Sequence, residues 1–75
     1  MKITMQEFEE FEKEFLFDMI KIPDYRLGQA FYNKFTDISK SMNNDGDLGT
    51  FNANRLWLAT SRDEVLKLVG WYIKK

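Results

Sequence analysis

The large apolar residues of the first third of the chain recur at helical spacing. At about 100° per residue, Phe8, Phe11, Phe15, Met19 and Ile22 fall within one narrow arc, the mark of an amphipathic helix. Its start is well specified. Thr4 and Glu7 have capping-box spacing, and Ile3 and Phe8 stand where a hydrophobic staple needs them. Glu7 also falls in the first turn, where the helix dipole favours negative charge. The helix is expected from about Met5 to Ile20, ending before Pro23. Leu16 and Ile20 widen the arc, while Phe17 points almost opposite Phe8. Phe17 is therefore either covered by another element or exposed.

A second stripe, Leu27, Phe31, Phe35, Ile38 and Met42, predicts a helix over 24–42 with Asp24 as its cap. Gly28 beside that stripe costs about 1 kcal/mol of helix propensity relative to Ala. Close approach of another backbone is the expected compensation. Arg26, Gln29, Asn33 and Asp37 line the other side. They read as a solvated face with Asn33 and Asp37 paired one turn apart. Alternatively, Arg26 and Gln29 form a polar recognition patch or cap a neighbouring helix.

Residues 43–50 (Asn-Asn-Asp-Gly-Asp-Leu-Gly-Thr) read as a loop. Aligned on Gly46 as a calcium loop, they put Ser41 at the first ligand position and Asn52 where a bidentate Glu belongs, so no metal is expected. Residues 54–59 are too few for periodicity to separate strand from helix; a short helix or irregular segment with Leu56 or Trp57 inward is expected. Ser61 and Glu64 make a second capping box. Val65, Leu68, Val69 and Tyr72 then form the stripe of a last helix over 61–74, with Trp71 off the stripe and Lys74 and Lys75 suiting its C-terminal dipole. The predicted fold is all-α, one compact three-helix domain over residues 1–75 with a short helical or irregular segment before the last helix. Its expected core is Phe8, Phe11, Phe15, Leu27, Phe31, Phe35, Ile38, Val65, Leu68 and Val69.

Composition narrows the chemistry. At 44% apolar and 31% charged residues the chain is of the globular rather than the disordered class. The absence of Cys excludes disulfides and thiolate chemistry, and the absence of His removes the commonest general base at neutral pH. Glu9, Glu10, Glu12 and Glu14 read as a solvated face, and Gly46 and Gly49 fit neither a P-loop nor a dinucleotide fingerprint. Neither catalysis nor a cofactor is expected. No apolar run approaches the roughly 20 residues that span a bilayer, and the N-terminus lacks a signal-peptide core. A cytoplasmic protein is the expectation.

The net charge of −1 is unevenly spread, at −3 over residues 1–22, −1 over 23–50 and +3 over 51–75. Arg55, Arg62, Lys67, Lys74 and Lys75 are thus the candidates for a nucleic-acid surface, although dilute for one. The candidates for a protein-binding or self-association surface are Phe17, Ile20, Trp57 and Trp71, with Tyr25 and Arg26 at its rim. Large apolar and amphipathic aromatic side chains left uncovered in a small chain mark interfaces. The competing expectation is that residues 51–60 fold back over Phe17 and bury it.

The run Arg26-Leu27-Gly28-Gln29-Ala30-Phe31-Tyr32-Asn33, within residues 23–35, resembles a helix recurring in small uncharacterised phage and prophage proteins. A looser similarity continues through Arg55-Leu56-Trp57 into the last helix. The resemblance implies two helices, a polar loop and a closing C-terminal helix; the Phe-rich acidic first helix and the Asn-rich loop depart from it. It also implies a setting, since phages encode many small proteins that bind and modulate or inhibit a host protein. The expected function is such a non-enzymatic interaction module, acting in the host cytoplasm on a host factor or self-associating as a homodimer. The alternative is a small helical nucleic-acid-binding domain.

Overall fold

The computed structural model describes residues 2–21 and 24–74, so the expectations for Ile22, Pro23 and Lys75 lie outside the described residues. Strand β1 (Ile3–Thr4) leads into α1 (Met5–Lys21); α2 (Leu27–Lys34), α3 (Thr36–Asn43), α4 (Gly46–Leu58) and α5 (Arg62–Val69) follow. A single 3-10 turn (Gly70–Tyr72) then delivers the chain to β2 (Ile73–Lys74). The all-α class holds, with the molecule about 80% helical, but five helices among the described residues replace the expected three.

The start of α1 follows its sequence signals. The Thr4 hydroxyl accepts from the Glu7 amide at 3.0 Å, and the Glu7 carboxylate accepts from the Thr4 amide at 3.1 Å. Ile3 and Phe8 are both buried, as a staple requires. At α5 the Ser61 hydroxyl accepts from the Glu64 amide at 3.2 Å. Asp24, in contrast, is not the cap of α2: the helix begins at Leu27, its N-cap is Arg26, and no side-chain cap bond is made there among the described residues.

The single helix expected over 24–42 is broken at Phe35, whose ψ of 67° leaves the helical region. The break separates Asn33 from Asp37, which therefore cannot pair on one helix face. Ser39, buried, satisfies the interrupted ladder by donating its hydroxyl hydrogen to the Tyr32 carbonyl at 2.8 Å. On either side of the bend, α2 and α3 both lie against α4.

Residues 43–50 are not a loop, because α4 runs through most of them. Only a tight turn at Asn44 and Asp45 separates it from α3, ending on Gly46 at φ 77°, where a side chain would be strained. α4 is the central element, packed by α2, α3 and α5, while α1 packs on α2. Its inner face is small, Gly49 and Ala53 with Leu56, so neighbouring backbones come close. Gly28 of α2 uses that closeness. Its amide donates to the Ala59 carbonyl at 2.9 Å, and a Cβ there would overlap the Leu56 carbonyl oxygen.

The last helix ends at Val69 rather than near residue 74. Gly70 is a poor helix former, and the β-branched Ile73 is instead drawn into a parallel pairing with Ile3, Lys74 standing opposite Thr4. Both isoleucines are buried there. The core contains Phe8, Phe11, Phe15, Leu27, Phe31, Ile38, Val65 and Val69 as expected, but Phe35 and Leu68 are only partly buried at its edge. Ile3, Ala30, Met42, Ala53, Leu56, Ala59 and Ile73 complete it.

Candidate interaction surfaces

α1 buries Phe8, Phe11 and Phe15, and beyond Phe15 none of its residues is buried. Every residue from Leu16 to Lys21 is exposed, so the last turn and a half of the helix overhangs the globule. Met19, which continues the apolar arc of Phe8, Phe11 and Phe15, is among them. The overhang carries Leu16, Phe17, Met19 and Ile20, with Phe17 72% and Ile20 79% exposed. Residues 51–60 do not fold back over Phe17. Residues up to Leu58 belong to α4, which packs on α2, α3 and α5, and Ala59 is buried in the core. Beneath the overhang lies a cleft of about 280 Å³ between α1 and α2, lined in part by Phe15, Asp18, Tyr25 and Asn33. The Lys34–Glu14 ion pair, 3.4 Å long, ties its two walls together near the surface.

The other sequence-derived candidates are dispersed. Tyr25 is half-buried with its ring 5.8 Å from that of Phe15, which places it in the same cleft. Arg26 is occupied internally: its Nε donates to the Trp57 carbonyl at 3.0 Å, capping the C-terminal end of α4. Trp57 is half-buried and packs edge-on against Tyr32. Trp71 is 78% exposed, but it stands beside Lys2, whose ammonium lies 5.2 Å from the ring. Phe17 follows Met5 by 12 residues along α1, a rise of roughly 18 Å. Phe17 and Trp71 therefore belong to opposite ends of α1 and share no surface.

The basic candidates do not converge either. Arg62 pairs with Glu12 of α1 at 3.1 Å. Lys67 is five residues on along α5, about 140° around the helix. Arg55 lies on the outer face of α4 over the Phe51 ring, and Lys74 lies on β2.

Two further surfaces are not signalled as such in the sequence, although Trp71 lines one of them. An open groove of about 490 Å³ is lined by Lys2, Ser41, Asn44, Asp45, Trp71 and Tyr72. Its residues come from the start, middle and end of the chain, so no local pattern signals it. The second is the outer face of α4, where Leu48, Phe51 and Leu58 are all exposed. Leu48 falls in the 43–50 stretch that reads as loop and Leu58 in the separate 54–59 segment, so the sequence splits the helix and hides their common face.

Among the described residues no group of three His, Cys, Asp or Glu side chains is placed to hold a metal ion. The carboxylates of the 43–50 segment sit on a turn and the first turn of α4, not around a common point. Millimolar chelator is expected to leave the melting temperature unchanged within about 1 °C, as checked by thermal scans with and without EDTA. A drop of several degrees would show a structural ion.

No helix of the described residues is long and apolar enough to cross a membrane. No family model, curated protein or solved structure matches the chain.

Proposed function

We propose that this protein is a non-enzymatic interaction module whose docking element is the overhanging end of α1. One observation carries the reading: four large apolar side chains, Leu16, Phe17, Met19 and Ile20, stand exposed together on one helix end among the described residues. Burying a Phe or Ile side chain that stands in water contributes about 1.5–3 kcal/mol, so Phe17 and Ile20 are natural anchors for a partner. The cleft beside Tyr25 supplies an adjoining recess with a polar rim at Asp18 and Asn33. The occupant is a protein with an apolar groove or ridge, in keeping with a phage-encoded modulator or inhibitor acting on a host factor in the host cytoplasm. That setting rests on the resemblance of residues 23–35 alone. The nucleic-acid alternative gains no support from the geometry, because the basic side chains face different directions.

The test is capture from host lysate with wild type and Phe17→Glu in parallel. The expected result is a protein enriched by wild type and lost with the variant, corresponding to at least about 2 kcal/mol of binding, roughly 30-fold. Because Phe17 lies in water, the variant should keep its helical circular dichroism and its stability within about 0.5 kcal/mol. If Phe17→Glu captures the same proteins as wild type, α1 is not the docking element. A titration of DNA or RNA whose affinity falls steeply with salt would favour the alternative instead.

A further inference from the structure

We propose that the chain self-associates as an antiparallel homodimer through the outer face of α4, a surface distinct from the α1 overhang and independent of the reading given to it. α4 is apolar on two sides. Its inner face, Gly49, Ala53 and Leu56, is buried in the core, whereas Leu48, Phe51 and Leu58 stand in water on the other. α2, α3 and α5 pack on α4, yet its outer stripe keeps three large apolar side chains in water, and a second apolar stripe on one helix calls for a second partner.

The spacing of the outer stripe identifies the second. Leu48, Phe51, Arg55 and Leu58 follow one another at intervals of 3, 4 and 3 residues, the seam spacing of paired helices. That spacing is symmetric about Ala53. A two-fold axis there sets Leu48 against the partner's Leu58, and Phe51 against the partner's Arg55. An interface between identical subunits must be self-complementary in this way. Arg55 already lies over Phe51 of its own helix, its guanidinium carbon 5.8 Å from the ring, and the same contact can form across the axis.

Charge selects the antiparallel direction. Asp47 opens the helix and Arg55 stands near its end, both exposed, and neither is in an ion pair among the described residues. Antiparallel pairing sets each Asp47 four residues along the seam, about 6 Å of rise, from the partner's Arg55, while parallel pairing would face like charges. The helix dipoles oppose favourably in the same arrangement. The remaining flanking residues, Asn52 and Asn54, are neutral and impose no repulsion. A helix of 13 residues is about 20 Å long, too short for a standard interface, so the dimer is a weak one. It leaves both α1 ends free, giving a bivalent particle.

Sedimentation velocity on the full chain between about 1 µM and 1 mM tests this. Wild type is expected to pass from monomer to dimer mass across that range. Phe51→Glu and Leu58→Ser, each at an exposed site, should raise the dissociation constant at least tenfold with unchanged circular dichroism. Phe17→Glu should leave it alone. Arg55→Asp should weaken the dimer, and adding Asp47→Arg should restore it, since the exchange preserves opposite charges across the axis. A wild type that stays monomeric, or a dimer that survives Phe51→Glu or is lost in Phe17→Glu, overturns the proposal. Failure of the charge exchange to restore association overturns the antiparallel register. Host-protein capture through Phe17 by a strictly monomeric chain would sink the α4 dimer while the α1 reading stood.

Discussion

Gly28→Ala is expected to destabilise the protein by about 2–3 kcal/mol, although Ala is the better helix former by about 1 kcal/mol. The reason is the position of the added carbon. It would overlap the Leu56 carbonyl oxygen and stand 2.9 Å from the Ala59 Cβ. Neither obstacle is the flexible end of a side chain, so relief requires α2 to move away from α4. That movement stretches the 2.9 Å hydrogen bond from the Gly28 amide to the Ala59 carbonyl, worth about 1 kcal/mol. It also loosens the buried Phe31 and Leu56 on either side of the contact. For a domain of this size, a melting temperature lower by roughly 10–20 °C follows. Gly28→Leu should be worse. Gly70→Ala is the control, because a Cβ there meets nothing within 4 Å and the backbone is already helical. It should be neutral or stabilising by up to about 1 kcal/mol. Equal melting temperatures for the two Ala variants would show that α2 and α4 are not in close contact.

The same glycine shows what the sequence makes legible and where it stops. A Gly beside an apolar stripe implies a close backbone but does not say whose. Here it belongs to the end of α4, a helix that the composition of its own first half disguises. Asn43, Asn44, Gly46 and Gly49 read as loop because each is a weak helix former. In the fold, Gly46 is needed for its positive φ and Gly49 for its lack of a side chain against the Met42 carbonyl. The apolar side of α4 was lost with it, and so was the stripe of Leu48, Phe51 and Leu58. α1 was legible because its signals agree: cap, staple and period all point to one helix. They agree only as far as Phe15. Beyond it the apolar period runs on through Met19 with no body to receive it, and periodicity alone cannot tell a core-facing residue from an exposed one. The break at Phe35 was hidden for a related reason, since Phe31, Phe35, Ile38 and Met42 keep helical spacing across it. The two-residue strands are too short to show alternation, and their pairing joins positions 70 residues apart in the chain.

Phe31→Ala is expected to remove about 3–5 kcal/mol, a large share of the stability of so small a domain. Phe31 has no exposed surface, and its ring sits at the centre of an aromatic cluster. It meets Phe11 edge-on at 5.5 Å, Phe8 at 5.9 Å and Phe35 at 4.6 Å between ring centres. These rings come from α1, from α2 and from the break before α3, so the truncation opens a void where separate elements meet. None of the neighbours can collapse into it without breaking another contact: Phe8 and Phe11 are held on α1 by their own packing, and Phe35 is fixed by the break. The expected stability of a chain of 75 residues is roughly 4–11 kcal/mol. A loss of 4 kcal/mol is therefore a third of the most generous total and all of the least. Phe17→Ala deletes the same ring from the α1 overhang and should change stability by no more than about 0.5 kcal/mol. Urea unfolding of both variants measures the contrast directly. Phe11→Ala combined with Phe31→Ala should fall short of the sum of the two singles by more than about 0.5 kcal/mol, because each single variant already breaks their shared contact. Additive losses, or a Phe31→Ala variant as stable as Phe17→Ala, would show that the rings do not form one cluster and that α1 is held to the body by something else.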